Sequence, residues 1–213
     1  MIKQKAVPPF IIGGLLFLAL LLFVFMTQHA VNRWVLFLDA WALHVFEPYQ
    51  SLAFTSFAKG ISFLGSAKFE ISFFLLFTIY VLLIHHQKRP PLLLFLALLG
   101  GWLFNAWLKS LFHRTRPSIM ALVEETGYSF PSGHAMVGTA FYGMMAYLLW
   151  HHLKLQGKPA FWVLPSFGLF IILMGLSRVY LGVHYGSDVL AGFAAGFLWI
   201  LLILLGEYGY KKR

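Results

Sequence analysis

Apolar residues fall in long blocks along the chain, and polar positions lie between the blocks rather than alternating within them. Six blocks, residues 9–26, 67–84, 91–108, 135–150, 159–176 and 189–205, approach the length a helix needs to cross a bilayer. That length is roughly 17–25 residues for a hydrocarbon core of about 30 Å. The pattern over residues 31–46 is different. At 3.6 residues per turn, Asn32, Arg33, Asp39, His44 and Glu47 share one arc, with Trp34, Leu38, Trp41 and Val45 opposite. This predicts an amphipathic helix lying in the outer interface, and residues 51–65 show a weaker version of it. The predicted fold class is an all-α integral membrane protein. One membrane-embedded domain over residues 1–213 carries six transmembrane helices plus the outer interfacial helix. The first block follows Lys3 and Lys5 as a signal peptide would, but no small-residue cleavage site comes after it, so it reads as a retained anchor.

Composition supports a membrane setting. Of 213 residues, 60% are hydrophobic and 11% charged, and the mean hydropathy is +0.79. Disordered chains need the reverse balance, and a soluble domain of this size could not hide so much apolar surface. With no cysteine, disulfides, thiolate metal sites and cysteine nucleophiles are excluded.

Charge adds an orientation. The chain carries 16 Lys+Arg against 7 Asp+Glu, a net +9. Six spans put Lys3, Lys5, Lys88, Arg89, Lys154, Lys158, Lys211, Lys212 and Arg213 on one face. Nine cations there meet one acid, Glu207, for a net +8. The other face has seven cations and six acids, a net +1. Lys/Arg excess marks the cytoplasmic side, so both termini are expected inside. The cytoplasmic charges are spread over short loops and tails, which does not make the basic stripe that nucleic acid requires.

The outer ends of the spans concentrate ionisable groups in three places. Lys109 and Arg116 lie seven residues apart at the end of the third block and face one way if the helix continues, with Pro117 marking its end. Pro131-Ser132-Gly133-His134 opens the fourth block, where free N–H groups and the helix dipole make an anion seat. Arg178, His184 and Asp188 stand between the last two blocks, and the four-residue spacing of His184 and Asp188 makes them neighbours on a helix. A carboxylate beside an imidazole fixes its tautomer and leaves the other nitrogen free. Three cations, two histidines, a carboxylate and an anion seat suit phosphoryl transfer, which depends on positioning and charge neutralisation. No metal-ligand spacing accompanies them, so neither metal nor cofactor is expected.

These three blocks, in this order, resemble the signature of the type 2 phosphatidic acid phosphatase superfamily. The resemblance implies that His184 is the nucleophile, that Asp188 orients it, and that His134 is the general acid and base. It also implies that Lys109, Arg116, Arg178, Ser132 and Gly133 bind phosphate. The small single-domain layout is similar to bacterial members of the family. The expected function is therefore hydrolysis of a lipid phosphate through a phosphohistidine, at the outer face of a bacterial cytoplasmic membrane. Phosphatidylglycerol phosphate, phosphatidic acid, undecaprenyl pyrophosphate and diacylglycerol pyrophosphate are all candidate substrates. Membrane lipids are the expected surroundings, with no nucleic acid and no obligatory protein partner.

Transfer of the phosphate to another lipid or sugar uses the same cradle and stays open. A vanadate-dependent haloperoxidase shares a similar constellation, but six spans in 213 residues argue against it. A transporter would carry ionisable groups near the midplane, and the middles of these blocks have none. Asn105 either bonds a neighbouring helix or supports Lys109. Arg114 reads as a solvated or phospholipid-facing charge, and His113 as a loop residue. His85, His86, His151 and His152 read as interfacial loop residues on the opposite face. Gly192 and Gly196 read as helix packing. Glu124 and Glu125 have only their place in the outer loop to suggest a gating role.

Overall fold

Short polar side chains open several of the helices. Asn32 Oδ1 accepts from the Trp34 and Val35 N–H groups at 2.9 and 3.4 Å, and Ser51, Ser66 and Ser132 cap later helices in the same way. The structure is a computed structural model that describes residues 9–28, 32–117 and 121–211. Lys3, Lys5, Val31, Lys212 and Arg213 lie outside the described residues. The helices are α1 (Pro9–Thr27), α2 (Arg33–Val45), α3 (Leu52–Leu64), α4 (Ala67–Ile84), α5 (Arg89–Phe112), α6 (Gly133–Leu155), α7 (Val163–Tyr180) and α8 (Gly186–Lys211), with a short 3-10 turn at Glu47–Tyr49. No strand occurs among the described residues.

Four helices, α4, α5, α7 and α8, are long and apolar enough to cross a membrane. The apolar stretch of α1, Ile11–Thr27, is shorter. Helix α6 has the length but is less apolar, for a reason visible in its packing. It stands between α5, α7 and α8, and most of its first four turns are buried against them. Enclosed by protein, it uses small and polar residues (Gly138, Thr139, Ala140) where a lipid-facing helix would use leucine.

The core runs along α6. Leu94, Ala97, Phe141, Met144 and Met174 are fully buried in its largest cluster. Helix α8 approaches α6 through glycine. A Cβ on Gly196 would lie 2.3 Å from Met136 O, and one on Gly192 would lie 2.8 Å from Ala135 Cβ. The small pair is a packing device, as its spacing suggested. Asn105 on α5 also serves packing: Nδ2 donates to Pro131 O at 3.3 Å, which ties α5 to the turn before α6. Of its two sequence readings, the bond to a neighbouring element is the one seen.

Helices α2 and α3 lie at one end of the bundle, against α8 and α7 respectively. Trp34, Phe37 and Trp41 stand exposed on α2, as do Phe54 and Phe57 on α3. The predicted polar arc of α2 needs one correction. Asp39 does not face water; with Val35 and Ala42 it forms the buried side of the helix. Its carboxylate is turned inward by partners from distant parts of the chain, which a helical wheel does not contain.

Candidate active site

The three blocks converge at the bundle end that carries α2 and α3. Helix α7 brings Arg178 in its last turn, α6 brings His134 in its first, and α8 brings Asp188 in its first. The α6–α8 contact fixes two blocks together: Ser132 N–H donates to Asp188 O at 3.0 Å. The Ser132 hydroxyl caps α6, accepting from Ala135 N–H at 3.5 Å.

Two local expectations need correcting. Helix α5 does not continue to Pro117. It stops at Phe112, and His113 turns the chain away in a left-handed conformation with φ 46°. Lys109 therefore comes from the helix, where Nζ donates to Tyr128 O, and Arg116 comes from the loop. His184 likewise precedes α8 rather than standing on it. It still meets Asp188 because Tyr185 N–H donates to Asp188 Oδ2 at 2.9 Å and folds the turn back.

The protonation pattern of His184 follows from its neighbours. Arg116 Nη1 lies 3.2 Å from Nε2, and a guanidinium can only donate, so Nε2 carries the lone pair. The proton is then on Nδ1, which faces Asp188 Oδ2 at 3.4 Å and Ser129 Oγ at 3.3 Å. The Ser129 hydroxyl in turn donates to Asp188 Oδ2. Burial pushes the His184 pKa down to about 4, against the opposing pull of Asp188. At neutral pH the ring is therefore neutral, with a free lone pair on Nε2. Burial also lowers the pKa of Arg116, opposed by Glu125 and Asp188.

Arg116 is spread over the loop. Nε donates to Gly127 O at 3.1 Å and Nη1 to Val183 O at 2.9 Å. Arg178 is 3% exposed and donates to Ser62 Oγ and Glu125 Oε1, while its buried Nε has no partner. Glu125 thus ties Arg178 to Arg116, whose Nη2 lies 3.7 Å from Oε2. Val123, Glu124 and Glu125 also form the wall between two cavities. One, about 370 Å³, holds Arg116 and Val183. The other, about 260 Å³, holds His134, Arg178 and Ser62.

Arg114 is not the solvated charge expected. Its side chain is 11% exposed, and it donates to Asp39 Oδ2 and Asp188 Oδ1, both at 2.6 Å. Sequence reasoning also missed Ser129, although it lies five residues before His134 in the same run. The four histidines assigned to the opposite face are remote: His85 packs 6.5 Å from His152 at the other end of the bundle.

With this geometry, similarity to known proteins becomes informative. The model of the PAP2 superfamily matches residues 90–209. Phosphatidylglycerophosphatase B of Bacillus subtilis (strain 168) is 39% identical over 145 residues, covering 68% of this chain and 70% of that protein. An undecaprenyl-diphosphatase of Sulfolobus acidocaldarius is 34% identical over 89 residues, 42% of this chain and 38% of that one. Among solved structures, the transmembrane PAP2 type phosphatidylglycerolphosphate phosphatase of Bacillus subtilis superposes with a TM-score of 0.84 at 29% identity. That superposition covers 91% of this chain and 96% of the other.

Proposed function

This chain belongs to the PAP2 superfamily, and from that premise we propose that it is a lipid phosphate phosphatase working through a phosphohistidine. The observation that carries this reading is the state of His184. Its Nε2 lone pair faces the Arg116 guanidinium, and its Nδ1–H faces Asp188 and Ser129. A phosphate bound by Arg116, Arg178 and Lys109 would present phosphorus to that lone pair, helped by Ser132 and the Gly133 N–H. The unpartnered Nε of Arg178 supports an anion at this place, because a buried guanidinium N–H without an acceptor is costly.

The reaction then runs in two displacements. Nε2 bonds to phosphorus as the bond to the lipid oxygen breaks, and His134 gives its proton to that oxygen. Asp188 stabilises the cationic ring. Water next bonds to phosphorus while passing a proton to His134, the P–N bond breaks, and inorganic phosphate leaves. Phosphatidylglycerol phosphate, phosphatidic acid and undecaprenyl pyrophosphate all present such a group. A lipid substrate is favoured by the setting: Phe63 of α3 lines the cavity that holds His134 and Arg178 and is exposed, as are Phe54 and Phe57 on the same helix.

We read α1 and α6 as further spans, giving six in a single domain, with the site on the extracytoplasmic face of a bacterial cytoplasmic membrane and both termini inside. Phosphate release by the purified protein across those lipids tests the function. Turnover is expected to persist in EDTA and to fall by about a thousandfold or more in His184→Ala. Substantial turnover in His184→Ala would refute the phosphohistidine route.

A further inference from the structure

Arg114 and Asp39 stand outside the phosphate cradle, yet together they hold its carboxylate. Arg114 Nη1 donates to Asp188 Oδ1 and to Ser187 Oγ at 2.6 and 2.7 Å, and Nη2 donates to Asp39 Oδ2 at 2.6 Å. The guanidinium carbon lies 4.0 Å from the centre of the Tyr185 ring, which covers one face. Asp39 is 4% exposed, and it also accepts from Ser187 N–H at 2.8 Å and Ser187 Oγ at 2.9 Å. We propose that Asp39, on interfacial helix α2, is a positioning residue that acts through Arg114 to fix Asp188 and to keep net negative charge beside His184. The proposal rests on the phosphatase reading above.

Two physical steps lead there. The first is orientation. Asp188 divides its oxygens: Oδ1 takes Arg114, and Oδ2 takes Ser129, the Tyr185 N–H and His184. With Oδ1 held, the carboxylate cannot rotate, and Oδ2 stays presented to the imidazole. The second is charge. Arg114 and Asp188 alone form a neutral pair with little field for a cationic ring. Asp39 adds a second carboxylate to the same guanidinium, so the buried group of three carries one net negative charge. That charge favours the imidazolium character His184 acquires as the P–N bond forms.

Asparagine has nearly the same shape and its Oδ1 can still accept from the Ser187 N–H, but its Nδ2 is a donor where Asp39 Oδ2 accepts from Arg114 and the Ser187 hydroxyl. Asp39→Asn therefore removes the charge together with the bond to Arg114, the two means by which Asp39 is proposed to act, while it keeps the volume and the Ser187 N–H bond. In the full-length protein, assayed with phosphatidylglycerol phosphate and phosphatidic acid in mixed micelles, it is expected to lower kcat about tenfold or more. KM should stay within about threefold, because the phosphate ligands are untouched.

The pH profile gives the charge-specific readout. The attacking form of His184 is neutral, so kcat/KM, which reports the free enzyme, falls as acid protonates the ring near its pKa of about 4. Removing a neighbouring negative charge makes protonation harder, so the acid limb should move to lower pH by about half a unit. The other ionisable groups facing His184 are Asp188 on α8, Arg116 from the loop after α5, Arg178 on α7 and His134 on α6, and all are retained. Arg114→Lys keeps the positive charge but cannot span both carboxylates. It should lower kcat with KM kept, and it decides the matter if Asp39→Asn does not fold. A kcat within about twofold of wild type, or a lowered melting temperature with kcat and acid limb unchanged, would overturn the role of Asp39. Absence of phosphate release by the wild type would instead overturn the phosphatase reading itself.

Discussion

Glu125 sets one carboxylate oxygen on Arg178 and the other 3.7 Å from Arg116. Both arginines belong to the proposed phosphate cradle, so an internal anion occupies the place a phosphate would take. A monoester phosphate brings about 1.5 to 2 negative charges against the single charge it replaces, so it can displace the carboxylate. Glu125→Gln keeps the size and removes the competing charge. Inorganic phosphate should then inhibit the enzyme about tenfold more tightly, a change of roughly 1.4 kcal/mol. An unchanged inhibition constant would mean that Glu125 does not compete for the seat. The residues that share this environment were unevenly legible in the sequence. His134, His184, Asp188, Arg116 and Arg178 stand in short spaced blocks, and the chain does bring them together. Glu125, Asp39, Arg114 and Ser62 owe their roles to partners 53 to 148 residues away. Such pairings leave no periodic trace. Ser129 had a weaker signal, a hydroxyl just upstream of His134, and needed the folded turn to reveal its partners.

At the scale of helices, long apolar blocks were legible because six stretches of uniform character differ sharply from their basic, turn-rich connections. Helix ends were less so. Except for α4, each helix that matches an apolar block differs from it at one or both ends: most run on through polar residues that hydropathy treats as breaks, while α7 starts four residues into its block, at Val163. The end of α5 fell short of Pro117 instead, since a left-handed His113 stops a helix without proline. One close contact matters more than any boundary. The N-terminus of α8 carries Asp188 and that of α6 carries His134, and glycines hold the two helices together. Gly196→Ala would place a methyl 2.3 Å from Met136 O, and backbone cannot yield as a side-chain tip can. It should cost about 1–3 kcal/mol. The expected result is a lower melting temperature in detergent, with turnover falling as the two termini that carry the proposed catalytic groups part. Gly206→Ala is the control: nothing lies within 4 Å of a Cβ there, so neither quantity should fall.

Over the whole molecule, charge and chemistry separate to opposite ends. The site end gathers Arg114, Arg116, Arg178, Asp39, Glu125 and Asp188, whose charges largely cancel in buried pairs. At the far end Arg89 pairs with Glu207, while Lys88, Lys154 and Lys158 remain exposed in the short connections and helix ends. Met26, at the C-terminal end of α1, packs with Phe130 and Ala191 near the site, so the beginning of α1 points to the basic end. The excess of positive charge therefore lies on the face away from the site, and this asymmetry is what supports the proposal that the site is extracytoplasmic. Because the natural chain has no cysteine, one introduced thiol reports on one position. Glu124 lies exposed in the loop over the site and Lys154 lies exposed near the far end of α6. In intact cells, a membrane-impermeant maleimide should label Glu124→Cys, and it should label Lys154→Cys only after lysis. The opposite pattern would place the phosphate cradle on the cytoplasmic face, where the substrate would have to be a lipid phosphate of the inner leaflet.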